Sequence, residues 1–171
     1  RIPTSEPTPM PNLLFDLSAI DLDRVIFDAS AIEQVNPQRG DMRHLDGICW
    51  VQPPPETGPG LAGVGFKDTR PDEFWVPGHI PGRPLLPGVL MIEAAAQLAA
   101  FMIKQFRDEQ GFLGFVGCDA VKFRGQVEPG QRLHIIGQET RYRAGRQFTC
   151  QTQGVCEGQV VFEGMIRGMA F

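Results

Sequence analysis

Two side chains stand out for the chemistry they can do: His79, in PGHIPGRPLLPG (77–88), and Glu93, in VLMIEAAAQLAAFMIKQF (89–106). An imidazole titrates near neutrality and can take a proton, and a protonated carboxyl group can give one. Gly88 stands where the second segment begins. There the first backbone N–H groups of a helix lack internal partners and carry the positive end of its dipole. Such an amide can hold negative charge developing on an oxygen, and a glycine lets a substrate come close. Gln97 follows Glu93 by one helical turn on the same face, so its amide can orient the carboxyl group. Plainer roles compete. His79 can be structural, its ring satisfied by carbonyls; Glu93 can pair with Arg83 or Arg43; Gly88 can simply start a helix. His44 and His134 lack a comparable setting and read as structural or exposed residues.

The surrounding elements follow from the pattern. Four prolines and three glycines in residues 77–88 impose a rigid, non-repetitive path. Residues 89–106 contain neither and are apolar on nearly every face, which predicts a buried helix. Glu93, Gln97 and Lys104 within it argue against a membrane span. GICWVQ (47–52) and LAGVGFKD (61–68) read as strands separated by the Pro-rich loop 53–60. Four strand-like runs follow, at 112–125, 131–143, 146–156 and 159–171. Their junctions, Pro129-Gly130, Ala144-Gly145 and Glu157-Gly158, each suit a hairpin turn. Leu13 to Val35 holds two short amphipathic stretches with Asp16, Asp21 and Asp28 available as caps or turn residues. Residues 1–12 read as a flexible tail and 13–171 as one α+β domain, an antiparallel sheet wrapped around the apolar helix.

GHIPGRPLLPGVLMIEAAAQLA (78–99) closely resembles the signature of bacterial 3-hydroxyacyl-[acyl-carrier-protein] dehydratases, the hotdog-fold enzymes of type II fatty acid synthesis. NPQRGDMRHLDGI (36–48) and FVGCDAVKFRGQVEPGQRL (115–133) extend the resemblance in order over most of the chain. The resemblance implies a hotdog fold in a dimeric, double-hotdog assembly, and dehydration of (3R)-hydroxyacyl thioesters. It implies His79 as base, Glu93 as acid and the Gly88 amide as donor to the thioester carbonyl. Pro87, Gly88, Val89 and Gln97 would contact substrate, and His79 of one subunit would work with Glu93 of the other. Two features depart from the family: Gln38 stands where a histidine is usual, and the loop 53–60 is lengthened. Both are expected to lie outside the acid–base pair, with the loop bordering the acyl slot. Glutamate rather than aspartate at position 93 favours dehydration without isomerisation.

Composition narrows the classes. A formal net charge of −4 leaves no electrostatic footprint for nucleic acid. Cys49, Cys118, Cys150 and Cys156 form no CxxC pair and have no histidine at ligand spacing, so no metal is expected. No nucleotide or flavin motif appears, and the implied chemistry needs no cofactor. Scattered cysteines and a soluble composition point to the cytoplasm. The partner implied is an acidic acyl carrier protein bearing acyl-phosphopantetheine, alongside a second copy of the chain. Lys122, Arg124, Arg132, Arg141, Arg143 and Arg146 are candidates for docking the carrier, against the plainer role of solvating strands. Competing readings are a hotdog dehydratase or hydratase for coenzyme A or polyketide thioesters, a non-catalytic hotdog subunit that binds acyl thioesters, and an oligomerising scaffold.

Overall fold

The computed structural model describes residues 12–171. The expected tail therefore lies outside the described residues except for Asn12, whose carbonyl accepts from Gln153 Nε2 at 2.9 Å. In chain order the elements are β1 (Phe27–Asp28), α1 (Ala29–Val35), a single 3-10 turn (Gly40–Met42), β2 (Gly47–Gln52) and β3 (Ala62–Asp68). Then come α2 (Gly88–Phe106), β4 (Leu113–Phe123), β5 (Arg132–Arg143), β6 (Gln147–Cys156) and β7 (Gln159–Ala170). The strands form one antiparallel sheet of order β1-β2-β3-β5-β6-β7-β4.

The sheet curls around α2, as its apolar pattern requires. Met91, Ala94, Ala95, Leu98, Ala99, Phe101, Met102 and Ile103 are sealed against strand residues such as Leu133, Ile135, Phe162 and Ile166. Close approach depends on missing side chains. A Cβ at Gly63 of β3 would sit 2.7 Å from Met102 Sδ, and one at Gly137 of β5 would sit 2.9 Å from Met102 Cε. By length and composition α2 could cross a membrane, but half of that stretch is buried inside the fold, packed on the sheet.

Local hydrogen bonds decide what the sequence pattern left open before α1, and one junction differs from the pattern. The first amphipathic stretch is not helical. Asp16 accepts from the amide and hydroxyl of Ser18, and Asp21 from the amide of Asp23, which gives the backbone tight turns in place of a helix. Leu14, Phe15 and Leu17 instead cover Ile136, Val155 and Val160 in a second, smaller core. The second stretch does form α1, with Asp28 accepting from the Ala31 amide as its cap. Finally, Pro129-Gly130 makes a turn, Gly130 at φ +93°, but not a hairpin. β4 crosses to pair with β7, and β5 pairs with β3 and β6, so the turn only redirects the chain into β5.

Candidate active site

Glu93 faces a cavity of about 180 Å³ on the flank of α2. Ala96 and Ala100 of the same helix form its floor. Pro37 and Gln38, the start of β4 from Phe112 to Phe115, and Phe148, Ile166 and Arg167 close it. The carboxyl group is held from one side only. Gln97 is fully buried; its Oε1 accepts from the His44 amide at 2.8 Å, and its Nε2 donates to the Met42 carbonyl at 2.7 Å. Those two backbone partners settle which end of the amide is nitrogen, and that nitrogen also donates to Glu93 Oε1 at 2.8 Å. Oε1 is therefore the accepting oxygen. A proton on Glu93 belongs on Oε2.

The clamp has an architectural cause. Residues 36–44 run along α2, tied by Asn36 Nδ2 donating to the Gln97 carbonyl at 2.9 Å as well as by the Gln97 side chain. Arg39 caps the carboxyl end of α1 by donating to the carbonyls of Glu33, Asn36 and Gln38. The two arginines considered as structural partners of Glu93 are engaged elsewhere. Arg43 pairs with Glu33 and Asp46, and Arg83 donates to Gln126.

His79 lies on the exposed loop leading to α2. Its amide donates to the Trp75 carbonyl at 2.8 Å, its carbonyl accepts from the Leu85 amide at 2.9 Å, and the His79–Ile80 peptide is cis. Trp75 is anchored beneath by a buried ion pair. Glu73 Oε2 accepts from Lys67 Nζ at 2.8 Å and from the Trp75 indole at 3.0 Å. Burial pushes the Glu73 carboxyl up, but the bonds from Lys67, the Arg70 amide and the indole outweigh it and hold it below the usual carboxylate range. His79 Nδ1 lies 2.9 Å from the Leu85 carbonyl oxygen. A carbonyl can only accept, so Nδ1 carries the hydrogen, and Nε2 of the neutral ring keeps its lone pair for a proton.

Pro87 is the N-cap of α2, without a side-chain cap bond, and Val89 is 67% exposed. Gly88 opens the helix, its N–H among those with no intrahelical acceptor. Its missing side chain is not open space: a Cβ would lie 2.7 Å from the ring of Phe123, which stacks on Phe162. The expected site residues thus fall into two groups. Glu93 and Gln97 belong to the cavity wall, with Gln97 behind Glu93 rather than in the opening. His79, Pro87, Gly88 and Val89 surround the exposed start of α2. His79 does not line the Glu93 cavity of its own chain.

Gln38, expected outside the acid–base pair itself, lines the same cavity as Glu93, and its Oε1 is buried without a partner among the described residues. The sequence signal was its place in the Asn-Pro-Gln-Arg lead, which carried no hint of how closely that lead packs on α2. The loop 53–60 corrects the opposite way. Gly58 accepts from Arg107 Nη2 at 2.8 Å and Gly60 donates to Glu139 at 3.1 Å, so a buried Arg107–Glu139 pair pins the loop at the carboxyl end of α2. It lines no part of the Glu93 cavity. The six basic residues also divide. Lys122 and Arg124 flank Phe123 near the start of α2, and Arg132 is held by Asp68. Arg143 and Arg146 lie beside Ile103 near the other end of the helix, with Arg141 next to them on β5.

A seven-stranded antiparallel sheet around one long helix, with a carboxyl group on that helix facing an apolar cavity, defines a hotdog-fold protein. Solved structures agree on the fold. The dehydratase heterocomplex ApeI:P from Xenorhabdus doucetiae aligns with TM-score 0.63 at 16% identity, over 82% of this chain and 90% of that one. The sigma28-regulated virulence protein Cj0977 from Campylobacter jejuni aligns with TM-score 0.62 at 14% identity, over 85% and 94%. Residues 36–165 match the FabA-like domain, and the chain belongs to that family. Among curated relatives, the 3-hydroxyacyl-[acyl-carrier-protein] dehydratase FabZ of Acetivibrio thermocellus is 35% identical, over 80% of this chain and 89% of its own length. The FabZ of Alkaliphilus metalliredigens is 45% identical over 67% and 74%.

Proposed function

We propose that this protein, a single domain over residues 13–171, dehydrates (3R)-hydroxyacyl chains on acyl carrier protein to trans-2-enoyl chains. Membership of the FabA-like family and likeness to two FabZ dehydratases support the reaction class. The observation that carries the residue assignment is the Gln97–Glu93 clamp on the wall of an apolar cavity. Glu93 Oε2 gives its proton to the departing C3 hydroxyl. His79 Nε2 takes the proton from C2. The Gly88 amide, at the positive end of α2, holds the negative charge that develops on the thioester oxygen.

The site is completed by a second copy of the chain, whose His79 meets the Glu93 cavity. β4 supports this arrangement: it is an edge strand with unpaired backbone groups, and Phe115, Val116 and Phe123 on it are about half exposed. The enzyme acts in the cytoplasm, on an acidic carrier that approaches the start of α2.

The test follows absorbance at 260–280 nm as a 3-hydroxyacyl carrier substrate is consumed. His79→Ala and Glu93→Gln should each lower kcat by about 10²–10⁴-fold. Mixing the two inactive variants should restore about a quarter of wild-type activity, because half of the re-assorted symmetric dimers then hold one intact site. No recovery on mixing would remove the shared site. Full activity in either variant alone would remove the assignment.

A further inference from the structure

Two charges, Lys67 near the end of β3 and Glu73 in the turn after it, are sealed in the fold with side chains 1% and 6% exposed. Stability does not account for them, since replacing a buried ion pair by apolar side chains of similar size is often neutral. Their place in the chain does. Glu73 Oε2 accepts from Lys67 Nζ at 2.8 Å and from the Trp75 indole at 3.0 Å, and Oε1 accepts from the Arg70 amide at 2.8 Å. The Trp75 carbonyl then accepts from the amides of Gly78 at 3.2 Å and His79 at 2.8 Å. No residue from 76 to 85 is buried. The loop that carries His79 is therefore anchored at its two ends, by Trp75 before it and by Leu86 after it. The Leu86 amide donates to the Val127 carbonyl at 2.8 Å.

We propose that Glu73 is a positioning residue for the base: through the Trp75 indole it ties the His79 loop to β3 and keeps His79 Nδ1 on the Leu85 carbonyl. The inference rests on the reading of His79 as the base. The bond from Nδ1–H to Leu85 is what leaves the lone pair on Nε2. A free imidazole favours the other tautomer, with its hydrogen on Nε2, and that nitrogen then has nothing with which to take a proton. An exposed ring gains little from one hydrogen bond that water can replace, so the backbone around it must hold the bond in place. Two backbone contacts do so. The Trp75 carbonyl fixes the His79 amide, and the Leu85 amide fixes the His79 carbonyl at 2.9 Å. Glu73 lies buried beneath this loop and acts on the ring only through Trp75.

The experiment reads the His79 tautomer by ring-nitrogen NMR, with kcat measured alongside. The chain has three histidines, so the His79 signals are assigned by difference with His79→Ala. With the rings neutral, wild type should show hydrogen on Nδ1 and a bare Nε2. Lys67→Met/Glu73→Leu removes both charges and leaves the indole no acceptor. Hydrogen should then move to Nε2, and kcat should fall about 10²-fold with KM changed far less. Lys67→Met/Glu73→Gln removes the same charges but keeps an oxygen for the indole, and should restore the wild-type tautomer and most of kcat. A pair that served folding alone would leave the tautomer where it is. An unshifted tautomer or a wild-type kcat in the leucine variant would overturn the proposal, and so would a glutamine variant no better than it. If the leucine variant does not fold, Trp75→Phe decides instead, because it removes the indole N–H and leaves the ion pair: a shifted tautomer supports the proposal and an unshifted one refutes it. If wild type turns over no 3-hydroxyacyl substrate, the dehydratase reading fails, and the spectra alone judge Glu73.

Discussion

Gln97 donates to Glu93 across one turn of α2, and its amide cannot be reversed because the His44 amide and the Met42 carbonyl hold its two ends. This leaves Oε2 as the oxygen of Glu93 that Gln97 does not hold. The orientation of the Glu93 carboxyl group is thus decided by backbone groups in residues 42–44, far in sequence from the helix that carries it.

Gln97→Leu should therefore act on two quantities. It strands the buried His44 amide and the partly buried Met42 carbonyl, costing about 1–3 kcal/mol of stability in urea unfolding. It also frees the Glu93 carboxyl to rotate, and misplacement of a reacting group by about 1 Å costs about 10²-fold in kcat. A stability loss with kcat intact would show that the clamp serves folding alone.

Gly88 and Phe123 form a second matched pair. Gly88→Ala would put a methyl group 2.7 Å from the Phe123 ring, and the ring or the start of α2 must shift. Overpacking of this kind costs about 1–3 kcal/mol. The start of α2 is also where the proposed carbonyl donor sits, so kcat should fall. Adding Phe123→Leu should recover much of both. No recovery of activity in the double variant would separate the donor from the ring.

The basic residues expected to dock the carrier lie at two ends of α2, and only one end is beside Gly88. Lys122→Glu should raise KM for the carrier-bound substrate several-fold and leave a small thioester analogue unchanged, with the effect fading in salt. Reversal of Arg143 and Arg146 should do neither. Equal effects from Lys122→Glu and from the reversal of Arg143 and Arg146 would argue against docking at the start of α2.

Much of this arrangement was legible in the sequence, and the rest was hidden for identifiable reasons. β2, α2, β5, β6 and β7 lie within a residue of the runs their periodicity marked, because each buries one continuous face and is bounded by Gly or Pro. The pairing of β4 with β7 was not legible, since a Pro-Gly turn looks the same whether it closes a hairpin or only redirects the chain. Spacing alone also hid the separation of His79 from Glu93, which only the family resemblance implied. Fourteen positions of sequence suggest nearness, but the rigid loop ends on the outer start of α2 while Glu93 points along its flank. Gln38 and His44 were undervalued because their roles come from packing against α2.

His44 shows the consequence most directly. Its ring is fully buried, with neither nitrogen partnered. Burial, with Lys67 adding to it against the opposing pull of Glu73, Asp46 and Asp41, pushes its pKa down to about 4. The unfolded chain titrates this ring near its ordinary value of about 6.5 and so binds the proton first as pH falls. The folded state is then favoured fully above about pH 6.5, and loses that advantage as pH falls toward about 4, by about 3 kcal/mol in all. His44→Leu keeps the backbone amide that holds Gln97 and removes the titrating ring. The variant should be at least as stable as wild type at neutral pH, because two unpaired buried nitrogens disappear. Its urea midpoint should also decline less between pH 6.5 and 4. Parallel decline in both proteins would show that the His44 ring is not its cause, since Glu73, with its depressed carboxyl pKa, loses its ion pair only at still lower pH.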